Sequence, residues 1–106
     1  LICDKENLML VSKILQDVEI CCHGFEDSLK NINTGDFVYL DPPYIPIDAL
    51  SFTKYSKNDF GEKNHEELSS FCDKIDKKGA FFMLSNSDTK LTSDMYMKEG
   101  RFVEKF

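Results

Sequence analysis

The stretch "DFVYLDPPYIP", residues 36–46, places a carboxylate, two prolines and an aromatic ring directly after an apolar run. Two consecutive prolines hold φ near about −65° twice and remove two backbone N–H donors, so this corner of the chain is stiff. The Asp41 carboxylate and the Pro42 carbonyl then form a surface that only accepts hydrogen bonds, and Tyr44 adds a flat ring beside it. Such a corner suits a planar ring that carries an amino group.

A nucleobase with an exocyclic NH2 group meets both conditions. Its nitrogen lone pair is delocalised into the ring, and two acceptors that hold both protons favour the pyramidal, more nucleophilic geometry and stabilise developing positive charge. A base inside a duplex cannot reach the corner, so it has to be flipped out and stacked on an aromatic side chain. The plain alternative is ordinary turn chemistry at the end of a strand. The apolar strand before the corner and the aromatic loop after it favour the functional interpretation.

The elements that must position this corner alternate between helix and strand. The predicted order is helix 5–16, strand 18–22, short helix 24–32, strand 37–40, a long loop, helix 64–78, strand 80–84, helix 91–97 and strand 101–106. The strands at 37–40 and 80–84 are continuous apolar runs, which is typical of strands that are buried on both faces. Alternation of this kind predicts an α/β fold with a mostly parallel sheet, flanking helices and right-handed crossovers.

The helix predicted at 64–78 has recognisable end signals. Asn64, followed three residues later by Glu67, predicts a capping box, and Gly79 predicts the C-terminal stop. His65 has no partner at catalytic spacing in the sequence, so we expect it to be an exposed helix residue.

Polar tetrads follow both central strands. Residues 41–44 come after the first of these strands, and residues 85–88, "SNSD", come after the second. Ligands of open parallel sheets bind outside the carboxyl ends of the strands. If the two strands are neighbours, both tetrads line one crevice. Capping of the next helix by Ser87 or Asp88 is the alternative role for the second tetrad.

Composition limits the other functions that the chain can have. The net charge of −6 is unfavourable for direct binding of nucleic acid, because proteins that bind phosphates normally carry clustered basic residues. No apolar stretch reaches the roughly 20 residues of a membrane span. Cys21 and Cys22, which are neighbours in an apolar run, suit reduced core thiols and a cytosolic setting, and "CCH" at 21–23 matches no zinc ligand spacing, so no metal is expected. The chain begins with Leu1 rather than Met and ends at "FVEKF" without a polar tail. We therefore expect it to be a segment of a longer protein.

Several motifs in order resemble the Dam-type DNA adenine-N6 methyltransferases, in which D-P-P-Y is the catalytic motif. The matching segments are "TGDFVYLDPPYIPI" followed by "SFTKY", then "FGEKNHEELSSF", where a common form has Asp-Gln at the place of Asn64-His65, then "GAFFMLSNSDT" and "MYMKEGRFVEKF". The resemblance runs from about residue 18 to residue 106. It implies transfer of a methyl group from S-adenosylmethionine to N6 of a flipped adenine in DNA.

The resemblance also implies a set of site residues. Asp41 and the Pro42 carbonyl would hold the amine, Pro43 would shape the corner, and Tyr44 would stack on the base. Phe52 and Tyr55 would lie at the lip near the DNA, and Ser85 and Asn86 would form the floor of the crevice. Asp41 would also lie beside the cofactor, together with Glu26.

The chain departs from the family in two respects. The Gly-rich F-x-G-x-G cofactor segment and the basic target-recognition segment have no counterpart here. We therefore expect residues 1–106 to be the C-terminal portion of one catalytic domain, an incomplete Rossmann-like methyltransferase fold that is inactive alone. The family implies double-stranded DNA, bound through parts not present here, and a restriction endonuclease counterpart as partners. It also implies a cytoplasmic enzyme that is bacterial or phage-encoded. An RNA or protein-amide methyltransferase, and a non-catalytic binding module, stay open as alternatives.

Overall fold

The computed structural model describes residues 2–48 and 60–106. The elements in chain order are helix α1 (Lys5–Leu15), a 3-10 helix (Phe25–Asn31), strand β1 (Phe37–Leu40), helix α2 (Glu62–Lys77), strand β2 (Phe81–Leu84) and helix α3 (Lys90–Tyr96). This order confirms the four predicted helical segments and both central strands, within a few residues at each end. The chain is a mixed α/β structure, and none of the helices described is both long and apolar enough to cross a bilayer.

The two strands form a small parallel sheet. Phe37 lies opposite Phe81 and Leu40 lies opposite Leu84, so the register has no offset across the four pairs. Aromatic and β-branched side chains favour strands because they pack well on a pleated surface. A parallel pair cannot be closed by a tight hairpin and needs a long crossover, which here contains α2. The predicted parallel pairing is therefore confirmed.

Helix α2 carries the centre of the core. Its buried apolar side chains recur at helical spacing, as predicted, at Leu68, Phe71, Cys72 and Ile75. The helix packs against β2, α3 and the 3-10 helix. The other buried apolar residues are Ile32, Ile45, Ala80 and Tyr96. Burying a large apolar side chain contributes about 1.5–3 kcal/mol, so this helix holds the small domain together.

The prediction that both strands are buried on both faces is wrong. Alternate residues of each strand pack against the core, namely Val38, Leu40, Phe82 and Leu84. The intervening residues are exposed, at 64% for Phe37 and 65% for Phe81. Successive side chains of a strand point to opposite faces. In the part of the chain that is described, helix α1 has no buried residues, so the outer face of the sheet is left uncovered.

The strands predicted at 18–22 and 101–106 are also wrong, because neither segment has strand structure. A strand is stable only when a neighbour satisfies its backbone N–H and C=O groups. Within residues 2–48 and 60–106 the sheet consists of β1 and β2 alone. The apolar residues Val18 and Ile20 consequently stay exposed, at 49% and 74%.

The helix ends differ from the prediction by a few residues. The N-cap of α2 is Gly61, and Asn64 lies in the third helical position, where its Oδ1 accepts a 2.9 Å hydrogen bond from the Gly61 N–H. Asn64 thus has the role that was predicted for Glu67. Helix α3 is capped by Thr89, whose hydroxyl oxygen accepts from the Thr92 N–H at 3.1 Å, so the alternative in which Ser87 or Asp88 caps this helix is wrong.

A glycine-containing turn precedes each strand, and the two turns are joined by backbone hydrogen bonds. Gly79 has a φ of 73° and ends α2 as predicted, and Gly35 has a φ of 87° in the turn before β1. The Gly35 N–H donates to the Gly79 carbonyl at 2.8 Å, and the Phe81 N–H donates to the Asp36 carbonyl at 2.8 Å. A positive φ is readily adopted only by glycine, so these two residues set how the strands enter the sheet.

Candidate active site

The carboxyl ends of β1 and β2 meet at one edge of the sheet. Asp41 directly follows Leu40, and Ser85 directly follows Leu84. The Ser85 N–H donates to the Leu40 carbonyl at 3.2 Å, which continues the pairing one residue beyond the strands. The expectation that both polar tetrads lie at one edge is therefore met.

Asp41 is held through one of its two carboxylate oxygens. The Ser85 hydroxyl donates to Asp41 Oδ1 at 2.9 Å, and the Tyr39 hydroxyl lies 3.4 Å from the same Ser85 oxygen. Among the residues described, Oδ2 of Asp41 accepts no hydrogen bond, and the side chain is exposed. The carboxylate is thus fixed in direction while an oxygen stays open to an incoming N–H group.

The backbone just after the tetrad is anchored at Ile45, which is 1% exposed. The Ile45 N–H donates to Asn86 Oδ1 at 2.9 Å, and the Ile45 carbonyl accepts from the Ser87 hydroxyl. Asn86 Oδ1 also accepts from the Ser87 N–H at 2.9 Å. The Asn86 amide nitrogen is buried and has no hydrogen-bond partner in the described part of the chain. Ser85 and Asn86, predicted as the floor, are therefore brought to the corner and hold it.

His65 is buried rather than exposed, which makes the prediction for this residue wrong. Its side chain is only 1% exposed. His65 lies within α2, three residues before Leu68 and seven before Cys72. This spacing places all three side chains on the same face of the helix. That spacing in the sequence was the signal that would have identified it as buried.

The buried imidazole reaches the underside of the Pro-Pro corner. His65 Nδ1 lies 2.7 Å from the Tyr96 hydroxyl, and the ring also hydrogen-bonds to the backbone of Pro43. Proline has no N–H, so the Pro43 group in this contact is the carbonyl, and the imidazole donates. Burial lowers the pKa of His65, and the bond to Pro43 offsets this only in part. The Phe60 ring packs edge-on against the imidazole, with 4.8 Å between ring centroids.

The outer side of the corner is open. Tyr44 is 53% exposed, and Pro43 is also exposed. Together with Asp41, these residues present a carboxylate oxygen and an accessible aromatic ring on a backbone that is anchored on both sides. The arrangement can hold a planar ring by stacking and its amino group by hydrogen bonding.

Of the other predicted site residues, only Glu26 lies within the described part of the chain. Phe52 and Tyr55 lie outside the described residues. Glu26 is exposed at the start of the 3-10 helix, and no hydrogen bond or ion pair in residues 2–48 and 60–106 joins it to the tetrad. It lines a shallow surface depression with Asp27, Leu29, Lys30 and Lys78.

The described residues fit a substrate amino group better than they fit a cofactor. A second shallow depression runs along α1, past Met9 and Lys13, and neither depression is lined by a residue of either tetrad. No three His, Cys, Asp or Glu side chains of the described ranges lie close enough to share a metal ion. The corner supplies oxygen acceptors and a ring, and neither of these two depressions extends to it to accommodate a molecule as large as S-adenosylmethionine.

Comparisons with known proteins cover nearly the whole chain. The sequence profile of the D12 class N6 adenine-specific DNA methyltransferase family matches residues 2–105. The chain is 46% identical over 85 residues to the type II methyltransferase M.MjaIII of Methanocaldococcus jannaschii, which covers 79% of this chain and 29% of that protein. It is 39% identical over 98 residues to the type II methyltransferase M1.LlaDCHI of Lactococcus lactis subsp. cremoris, covering 90% of this chain and 34% of that protein.

A third relative is the DNA adenine methylase of Escherichia coli K12, with 30% identity over 91 residues, 85% of this chain and 33% of that protein. The chain thus spans about a third of the length of the curated relatives that it matches. The resemblance to Dam-type enzymes is confirmed, and the chain belongs to the D12 class N6 adenine-specific DNA methyltransferase family.

Proposed function

We propose that this chain holds the N6 amino group of an adenine flipped out of DNA, within an enzyme that methylates it with S-adenosylmethionine. The observation that carries the proposal is the hydrogen bond from Ser85 to Asp41, which aims a carboxylate at the open carboxyl edge of a parallel sheet, beside the exposed ring of Tyr44. The two strands belong, on this proposal, to a larger Rossmann-like methyltransferase sheet.

The amino group is recognised through its two protons. Asp41 Oδ2 accepts one N–H and the Pro42 carbonyl accepts the other. Both acceptors pull the nitrogen toward a pyramidal geometry in which its lone pair is less delocalised into the ring. The nitrogen gains positive charge as its bond to the methyl carbon forms, and the negative carboxylate stabilises that charge. Because Ser85 already holds Oδ1, the carboxylate does not have to reorient during the reaction.

Tyr44 supplies the stacking surface. A flipped base loses its neighbours in the duplex, and stacking on an aromatic side chain restores about 1–3 kcal/mol per base. The Tyr44 ring is 53% exposed, so a base can reach it without displacing core residues. Phe52 and Tyr55 complete this surface at the DNA-facing lip, and Ser85 with Asn86 forms its floor.

The substrate class follows from the family and from the names of the relatives, two of which are type II methyltransferases and one a DNA adenine methylase. Double-stranded DNA is the proposed partner. Because this chain has a net charge of −6, the DNA backbone is bound mainly by residues outside it. A restriction endonuclease that recognises the same DNA site is the second proposed partner. The proposed setting is the cytoplasm, with the enzyme encoded by a bacterium or by a phage.

The proposal is tested in an enzyme-length protein. Because the chain spans 29% of the M. jannaschii relative, we replace the matching segment of that protein with this chain and call the product the chimera. Transfer of labelled methyl groups from S-adenosylmethionine to adenine in duplex DNA is measured. We expect the chimera to be active, and we expect Asp41→Ala to lower turnover about 100-fold to 1000-fold or more, with an unchanged circular dichroism spectrum.

The matched control is Asp94→Ala, which removes an exposed carboxylate that pairs with Lys90 on α3. Turnover of this variant should equal that of the unaltered chimera. A folded chimera without methyl transfer would contradict the proposed function. Near-normal turnover of Asp41→Ala would contradict the role of Asp41 alone.

The cofactor site is proposed to require residues beyond the described ones, with Asp41 and Glu26 at its border. Calorimetric titration of the 106-residue chain with S-adenosylmethionine should show no binding at micromolar concentration, while the chimera binds. A micromolar dissociation constant for the chain alone would show that the chain carries the cofactor pocket itself.

A further inference from the structure

A buried pair of polar side chains, His65 on α2 and Tyr96 at the end of α3, lies beneath the Pro-Pro corner. Their side chains are 1% and 8% exposed, and Nδ1 of His65 lies 2.7 Å from the Tyr96 hydroxyl. The imidazole also donates to the Pro43 carbonyl. The pair therefore links the C-terminal end of α3 to the middle of the tetrad through a line of hydrogen bonds. Buried polar groups without such partners are strongly unfavourable, so the link is well defined.

We infer that His65 is a positioning residue for methyl transfer: its imidazole, oriented by the Tyr96 hydroxyl, fixes the direction of the Pro43 carbonyl and thereby of the Pro42 carbonyl and the Tyr44 ring. This inference rests on the proposed function, because Pro42 and Tyr44 matter only if the corner holds a base. His65 itself does not touch the substrate.

The chemistry of the pair requires one tautomer. A neutral imidazole has one N–H donor and one lone pair. The contact with the Pro43 carbonyl requires a ring N–H, and Nδ1 lies at hydrogen-bond distance from the Tyr96 hydroxyl, so the tautomer and the orientation of the ring depend on both contacts. Burial lowers the pKa of His65 and raises the pKa of Tyr96, so the imidazole stays neutral and the phenol keeps its proton.

The corner needs such a contact in its middle. Neither proline can donate a backbone hydrogen bond, so the strand pairing that fixes β1 cannot extend through residues 42 and 43. The tetrad is held at its start by Ser85 and just beyond its end by Asn86 and Ser87. The bond from His65 turns the Pro43 carbonyl toward the core. Neighbouring carbonyls of an extended chain point in different directions, which leaves the Pro42 carbonyl free to face the substrate.

A small error in this geometry has a large effect on rate. Misplacement of a reacting group by about 1 Å can lower a rate about 100-fold, even when the altered residue is remote from the chemistry. Substrate binding is less sensitive, because stacking on Tyr44 tolerates small shifts. A positioning role therefore predicts a fall in kcat with little change in KM.

The chain offers a matched control for a purely structural role. Ser69 is 5% exposed and its hydroxyl donates to the Met95 carbonyl at 2.6 Å, so it also joins α2 to α3. No hydrogen bond joins Ser69 to either tetrad among the residues described. Ser69→Ala removes a buried hydrogen bond between the same two helices without altering the support of Pro43.

The experiment measures kcat, KM for DNA and thermal stability in the chimera. We expect His65→Phe to lower kcat about tenfold or more with KM changed less than about threefold. His65→Gln, which keeps an N–H donor, should restore kcat to within about threefold. Tyr96→Phe removes only the hydroxyl, so this variant should fold even if His65→Phe fails to fold. It should lower kcat about threefold to tenfold. Ser69→Ala should lower the melting temperature and leave kcat unchanged.

The 106-residue chain provides an independent readout. Nitrogen-15 NMR of His65 should show one protonated ring nitrogen, and Tyr96→Phe should shift the Nδ1 resonance. An Nδ1 resonance that does not move in Tyr96→Phe would overturn the inference. An active chimera in which His65→Phe or Tyr96→Phe keeps normal kcat would also overturn it while leaving the proposed function intact. Equal losses of kcat in Ser69→Ala and His65→Phe would reduce His65 to a structural residue. An inactive, folded chimera would contradict the proposed function instead.

Discussion

The Ser85 hydroxyl donates a 2.9 Å hydrogen bond to Oδ1 of Asp41, across 44 positions of sequence. The two residues are the next pair in register after Leu40 and Leu84, the last pair of the parallel strands. The position of the carboxylate therefore depends on the pairing of β1 with β2, because a shift in register would separate the two side chains.

Removing the hydroxyl should slow catalysis. In the chimera, Ser85→Ala leaves the Asp41 carboxylate without its oriented donor. The site is solvent-accessible, so we expect a loss of about 1–2 kcal/mol, or a fall in kcat of about fivefold to thirtyfold. Ser85→Thr keeps the hydroxyl and should retain most activity. Ser70→Ala, which removes an exposed hydroxyl of α2 that donates to the Glu66 carbonyl, serves as the control. A change of less than twofold for Ser85→Ala would show that the bond does not orient Asp41.

Tyr44 should act through its ring rather than its hydroxyl. Tyr44→Ala removes the stacking surface, which is worth about 1–3 kcal/mol per base, whereas Tyr44→Phe keeps it. We expect kcat/KM of the chimera to fall in the first variant and to change little in the second. Duplex DNA with 2-aminopurine at the target adenine reports the flipped base by its fluorescence, which should weaken in Tyr44→Ala binding experiments. Equal defects in both variants would contradict a stacking role.

Cys72 should resist alkylation in the folded chain. Its side chain is 0% exposed, and burial raises the pKa of the thiol to about 11, so at neutral pH it is protonated and inaccessible. Cys3, Cys21 and Cys22 are exposed. Mass spectrometry after brief iodoacetamide treatment should show three adducts on the folded chain and four after denaturation. Modification of Cys72 at the rate of Cys3 would contradict the packing around α2.

Gly79 should be more sensitive to substitution than Gly35. Both have positive φ, at 73° and 87°, and a side chain in this conformation costs about 1–2 kcal/mol. A Cβ at Gly79 would also lie 3.1 Å from Thr34 Cγ2, whereas one at Gly35 would meet nothing within 4 Å. Urea unfolding of the 106-residue chain should therefore show a larger loss for Gly79→Ala. A loss equal to or smaller than that of Gly35→Ala would show that the turn relaxes around the added methyl group.

Local patterns in the sequence predicted much of the fold. The apolar face of α2 is read correctly because side chains three and four residues apart share one face of a helix. The two central strands are read correctly because their aromatic and β-branched residues suit a pleated sheet. The meeting of Asp41 and Ser85 also follows from the sequence, since parallel neighbours bring their carboxyl ends to one edge.

Apart from the caps of α2 and α3, the errors concern partners that are distant in sequence. Burial of both sheet faces and the strands at 18–22 and 101–106 require neighbours that local patterns do not reveal. The spacing of His65 from Leu68 indicates burial, yet its partners Pro43 and Tyr96 lie on other elements.

By itself, the sequence determined the stiff Asp-Pro-Pro-Tyr corner, the helix and strand periodicities, and family membership. Only the tertiary structure decided that Ser85, Asn86 and His65 hold this corner from three sides. The physical reason is that backbone conformation and periodicity depend on nearby residues, whereas burial and hydrogen-bond partners depend on which distant segments come together.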